Sequence, residues 1–136
     1  MLSPFDDCPT PKHIFLMNII MWNCRGALKP SFQKHVGELV RNYNPAMLVV
    51  METCVRGGRA KDITDRLPFD GSVHTDTIGY ADGLWLLWDS ERVDVTPLAN
   101  TDQEIHAIVK VRNSNSSWFF TAVYASSRSA ERHLME

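Results

Sequence analysis

The runs MNIIMWN, Met17 to Asn23, and MLVVME, Met47 to Glu52, bracket a helix-patterned segment, and reading these three pieces together decides the fold. Each run is apolar and of strand length, and Gly26 and Pro30 break the chain after the first. From Ser31 to Tyr43 the apolar residues Phe32, Val36, Leu39, Val40 and Tyr43 fall at offsets 0, 4, 7, 8 and 11, one face of an α-helix. Asn44-Pro45 ends that helix, because a residue before proline avoids helical backbone angles. The unit is β-α-β, so the two strands are expected to lie parallel with a right-handed crossover.

Beyond it, Gly57-Gly58 marks a loop, and Ala60, Ile63 and Leu67 share one face of a short helix from about Arg59 to Leu67, stopped by Pro68. The rest reads as strands: about 71–77, 83–88, 92–96, 104–111 and 117–124. Asp89-Ser-Glu91 and Asn113-Ser-Asn-Ser116 read as hairpin turns. Ile105, Ala107, Val109 and Val111 alternate as in a half-buried strand. Gly83-Leu-Trp-Leu-Leu-Trp88 and Trp118-Phe-Phe-Thr-Ala-Val-Tyr124 are apolar on both faces and so expect cover on both sides. Two helices supply one cover; the other is not evident, and an uncovered face of that size is expected to drive self-association.

The composition of the 136 residues is that of an ordinary globular chain. A net charge of −2 excludes a strongly basic nucleic-acid binder as a class, so charge has to be read locally. Cys8, Cys24 and Cys54 are odd in number and widely spaced, which reads as free thiols in a reducing compartment. No apolar run reaches the ~18 residues of a membrane-spanning helix. Residues 1–14 carry Pro4, Pro9 and Pro11 with Asp6 and Asp7, read as a loose leader and not a secretory signal, and residues 15–136 read as one folded unit.

Asn23 and Glu52 each close a strand expected to be parallel, and ligands of open α/β sheets bind beyond such carboxyl ends. A lone Glu there suits Mg²⁺, which takes one or two protein carboxylates and otherwise oxygen and water. The ordinary alternative is a pair of polar strand ends facing water. Arg56, Arg59 and Lys61 place three cations within six residues at the same edge, either a phosphate-contacting loop or a solvated one. Tyr124 closes the last strand and could donate to a phosphate oxygen; Arg128 follows it. His106 has no partner evident in the sequence and reads as structural before catalytic. Trp85, Trp88 and Trp118 read as core.

Trp22-Asn23-x-x-Gly26, then Met51-Glu52-Thr53, then Ala122-Val123-Tyr124-Ala125-Ser126 stand in an order similar to that of the opening half of the endonuclease/exonuclease/phosphatase superfamily, and Gly83-Leu-Trp-Leu-Leu87 resembles another of its strands. The opening Met17-Asn-Ile-Ile-Met-Trp-Asn-Cys-Arg-Gly26 most resembles the endonuclease domains of plant LINE-type non-LTR retrotransposons. The likeness runs from Met17 to Arg132. It implies an α/β class: a partial α/β sandwich, with a mixed sheet, two helices and a second sheet largely missing. It also implies Glu52 as ligand of Mg²⁺ or Mn²⁺, Asn23 as its active-site partner, Tyr124 as a phosphate contact, DNA as partner, no membrane, and a nuclear location.

The sequence departs from that family where its water-activating groups would stand. No G-D-x-N and no Ser-Asp-His occurs, twelve residues follow Tyr124, and Arg25 stands where many members have Asp. The expectation is therefore the N-terminal part of a Mg-dependent endonuclease domain, inactive alone. The alternatives are a non-catalytic metal- or nucleic-acid-binding remnant and a half-domain completed by a partner chain.

Overall fold

The computed structural model describes residues 18–55, 58–75 and 83–124. Residues 1–14, read above as a leader, lie outside these, as do Cys8, Arg56 and Arg128.

Strand β1 (Ile19–Asn23) and strand β2 (Met47–Met51) pair in parallel, Ile19 opposite Met47 and Asn23 opposite Met51. Helix α1 (Phe32–Tyr43) joins them. Asn44 ends it in the left-handed region, φ 44°, donating its N–H to the Val40 carbonyl at 2.8 Å. This left-handed cap satisfies a carbonyl the helix would leave bare, and Pro45 then bars continuation.

Helix α2 is shorter than the apolar spacing suggests, Arg59–Thr64 and not to Leu67. The chain tightens there into i→i+3 turns: Arg66 N–H bonds the Ile63 carbonyl and Leu67 N–H the Thr64 carbonyl. Leu67 is still carried into the core. Strands β3 (Gly71–His74) and β4 (Leu84–Trp88) complete a mixed four-stranded sheet of order β1-β2-β4-β3, with β4 antiparallel to both its neighbours.

Strands β5 (Val93–Asn100), β6 (Glu104–Val111) and β7 (Ser117–Val123) form a second, antiparallel sheet of order β5-β6-β7. Residues 113–116 make the expected hairpin turn. Asp89-Ser-Glu91 does not, because β4 and β5 belong to different sheets. The turn is closed by Arg92 and Val93 N–H groups on the Asp89 carbonyl, and Ser90 is held by Asp70 through both its N–H and its hydroxyl. Those bonds carry the chain from one layer to the next.

The second sheet supplies the cover that the sequence left open. Leu48, Val50, Trp85 and Leu87 face Phe32, Val36, Ala60 and Leu67 on the helix side. Met47, Val49, Leu84 and Leu86 face Val93, Ile105, Ala107, Val109 and Ala122 across the sandwich. The central strands β2 and β4 of the first sheet therefore have no bare face, while Met21 on the edge strand β1 stays 55% exposed. Also exposed is the outer side of the second sheet, where Phe119 is 65% and Ile108 37% accessible. Among the described residues no helix is long and apolar enough to cross a membrane.

Candidate functional site

Three side chains far apart in sequence meet at the carboxyl ends of β1 and β2. The Asn23 amide donates to Oε2 of Glu52, and the Tyr124 hydroxyl donates to the same oxygen at 2.8 Å. Two donors on one carboxylate oxygen fix the plane of the group. The other oxygen, Oε1, has no protein partner among the described residues. Asn23 is itself oriented, since its Oδ1 accepts the Arg25 N–H at 3.1 Å. An amide so placed must offer its NH₂ to Glu52, which settles its direction. Tyr124 arrives from the second sheet, tethered by its N–H on the Gln103 carbonyl. The site thus spans both layers.

The backbone beneath is held in unusual conformations. Arg25 (φ 54°), Glu52 (φ 55°) and Cys54 (φ 56°) all lie in the left-handed region without being glycine. Such residues cost energy and persist only where surrounding bonds fix them. Here the fixing bonds are Cys24 N–H to the Met51 carbonyl, Gly26 N–H to Glu52 and Ala27 N–H to Thr53, at 3.0, 2.8 and 2.8 Å. They extend the β1–β2 pairing past the strands and aim the Glu52 side chain outward. Gly83 adds a steric condition: a Cβ there would lie 2.1 Å from the buried hydroxyl of Thr53.

Two thiols flank the same spot, Cys24 Sγ 3.5 Å and Cys54 Sγ 3.3 Å from the Glu52 carbonyl oxygen. Burial pushes the Cys24 thiol up to about 11, so it stays protonated and inert at neutral pH. Neither forms a disulfide among the described residues.

The other candidates divide. Arg59 opens α2, exposed, and lines a cavity between the two helices. Lys61 turns along the helix to Asp65 at 3.4 Å and does not line that cavity. His106 lies on the outward side of β6 with partners the sequence did not reveal: Nδ1 is 3.0 Å from the Thr121 hydroxyl and Nε2 3.1 Å from Glu104. No bond ties it to Glu52. His74 packs edge-on to Trp85 with Nε2 3.1 Å from the Thr64 hydroxyl, and burial, with Lys61 nearby, holds its pKa below the usual histidine value. Sequence reasoning missed Lys29 and Arg66, which line the cavity with Arg59. Neither belongs to a motif; only their positive charge could have drawn notice.

Among the described residues no three His, Cys, Asp or Glu side chains cluster as a metal cage. One carboxylate with a free oxygen fits a hard cation that keeps most of its water, as Mg²⁺ does, and does not fit a structural zinc site.

No family model matches this chain, and no curated protein does either. Among solved structures, it is similar to the crystal structure of AP endonuclease LMAP from Leishmania major, with a TM-score of 0.55 and 15% sequence identity. The match covers 79% of this chain and 40% of that one. The architecture is accordingly the two-sheet α/β fold of the endonuclease/exonuclease/phosphatase type, and the chain spans well under half the length of that neighbour.

Proposed function

We propose that this chain carries the metal-holding side of a Mg-dependent, phosphodiester-cleaving endonuclease site of the retroelement type, with DNA as its partner, and that these 136 residues do not cleave DNA alone. The observation that carries the reading is the convergence of Asn23 and Tyr124 on one oxygen of Glu52, which leaves the other for a cation. The name of the solved neighbour, an AP endonuclease, supports a nucleic-acid substrate.

Glu52 would hold the ion, and the ion when bound would polarise a phosphate oxygen and neutralise charge on the leaving oxygen. The protein's own part is positioning. Asn23 and Tyr124 lock the carboxylate, so no reorganisation is needed when charge develops. Tyr124 is also placed beside any phosphate brought to Glu52. Among the described residues no base for the attacking water is bonded to this cluster. G-D-x-N and Ser-Asp-His are absent from the sequence, and His106, His74 and His35 are engaged with Glu104, Thr64 and Trp22 respectively.

Mn²⁺ titration followed by electron paramagnetic resonance, beside plasmid nicking in Mg²⁺, tests both halves. We expect one Mn²⁺ site in the wild type, its loss in Glu52→Gln, and no nicking by either. An unchanged titration in Glu52→Gln removes the ligand assignment. Nicking that needs Mg²⁺ and Glu52 overturns the claim that the chain is inactive alone.

A second reading, a half-site completed by another chain, is favoured by the edge of β7, the last strand of its sheet among the described residues, with Trp118, Phe119 and Val123 exposed. It requires nicking that rises more steeply than in proportion to protein concentration; a linear or absent response excludes it.

A further inference from the structure

A cavity of about 340 Å³ opens between the amino end of α1 and helix α2. Its charged lining is Lys29, Arg59 and Arg66, with no acidic residue. None of these three side chains has an ion-pair partner among the described residues. By contrast, Lys61 is engaged with Asp65, Arg112 with Asp94, and Arg92 with the Asn44 carbonyl. Three uncompensated cations around one hollow, in a chain of net charge −2, is a local concentration that the overall composition conceals.

Helix α1 adds to it. Its amino end has no capping side chain and no acidic residue in its first turn, and Phe32 and Gln33, its first two residues, line the hollow. The helix therefore contributes its positive end to the same space. The walls are pinned together, Gln33 donating its side-chain amide to the Arg66 carbonyl at 3.3 Å, so the cations are presented on a fixed frame. The hollow also adjoins the Glu52 loop. Ala27, part of its lining, donates its N–H to the carbonyl of Thr53, the residue after Glu52.

We infer that this cavity is an anion subsite that takes a backbone phosphate of a nucleic-acid strand whose neighbouring phosphodiester lies at Glu52. The inference rests on the function proposed above for Glu52 and extends it: Lys29, Arg59 and Arg66 set the path of the strand away from the carboxylate. Two guanidinium groups grip phosphate oxygens in pairs and an ammonium adds a point charge. A strand held this way is positioned without being read for sequence.

The test is fluorescence anisotropy of a labelled single-stranded 12-mer DNA at several salt concentrations, with pyrophosphate as competitor. The proteins are the wild type, the double variant Lys29→Ala/Arg66→Gln, Arg59→Gln and Lys61→Ala, each checked by circular dichroism. All three cations are exposed, so folding should survive their loss. We expect the double variant to bind at least tenfold more weakly. Its salt slope should fall by roughly 1.4, from ~0.7 for each phosphate contact on a single strand. Arg59→Gln should show about half that change, and Lys61→Ala, outside the cavity, no change in slope. A double variant with the wild-type affinity and slope overturns the inference, and it leaves the Glu52 reading to its own Mn²⁺ titration. Binding of pyrophosphate that depends on Lys29 and Arg66, without binding of DNA, overturns the assignment to a nucleic-acid strand and points to a phosphorylated small molecule. Binding of neither probe overturns it outright.

Discussion

The two sheets of this sandwich are buried differently, and the difference tells where its stability lies. In the first sheet, alternate residues of β2 and β4 enter different cores: Leu48, Val50, Trp85 and Leu87 on the helix side, Met47, Val49, Leu84 and Leu86 between the sheets. In the second sheet only one side is covered. Ile105, Ala107 and Val109 are fully buried, while Ile108, Phe119 and Val123 look outward. A strand with two dry faces loses packing in whichever direction it is cut. A strand with one loses it only when cut inward.

That contrast breaks first, and with the largest effect, at Trp85. It is 1% exposed and meets Phe32 and His74 edge to ring. Trp85→Ala should cost about 3–5 kcal/mol, the range for deleting a buried aromatic side chain. Phe119→Ser, on the open side, should stay within about 0.5 kcal/mol. Urea denaturation measures both. Equal losses would mean that the outer side of the second sheet is as buried as the first.

A smaller effect sharpens the helix side alone. His74 is partly buried there and has a depressed pKa. With the folded value below the unfolded one, the unfolded chain takes up a proton first as pH falls. Stability should therefore hold above about pH 6.5, the ordinary histidine value, and decline below it until the folded imidazole also protonates. Thermal melts from pH 7.5 to 5 should show this decline, and His74→Gln should flatten it. An unchanged slope in the variant would assign the decline to other groups.

How much of this was legible follows from what was local. The runs of β2 and β4 announced two-sided burial because no polar residue interrupts them, and the alternation of β6 announced one-sided burial. The convergence of Asn23, Glu52 and Tyr124 was legible because each closes an apolar strand, and strand ends gather at one rim. The strand ending at Thr96 in the sequence reading runs on through Pro97 to Asn100. An edge strand tolerates proline, and a register shift between Pro97 and Ala99 absorbs it. The change of sheet at Asp89 was not legible, because a tight polar turn looks the same whether the next strand folds back or crosses to another layer. Nor were Lys29 and Arg66, which come together only when the β1 loop packs beside the turn after α2.

The outer side of the second sheet is the next place to sharpen the comparison, through association and not stability. Uncovered sheet was expected to make the chain sticky, and the face first suspected is closed by the second sheet. Phe119, Ile108, Leu98 and Val123 still leave apolar surface outside. Phe119 and Ile108 stand directly opposite each other on neighbouring strands, so charges at both would interrupt the patch at its middle. Ile108→Lys with Phe119→Asp should shift light scattering from oligomers toward monomer while leaving the urea midpoint nearly unchanged. A wild type that is already monomeric at high concentration would show that this surface does not drive association.

The smallest expected effect separates the two cations of α2 that the sequence could not tell apart. Arg59 and Lys61 are two residues apart on a six-residue helix, and both read as phosphate contacts. Two residues turn a helix by more than half a circle, so they point apart. Arg59 lines the basic cavity, and Lys61 reaches Asp65 one turn on, with side chains 74% and 60% exposed. An exposed pair of this kind contributes a few tenths of a kcal/mol at most. Lys61→Ala should therefore leave the urea midpoint, the DNA affinity and its salt slope where they were, in the same measurements in which Arg59→Gln lowers the last two. Equal losses of DNA affinity in the two variants would mean that the strand follows the helix surface and not the cavity.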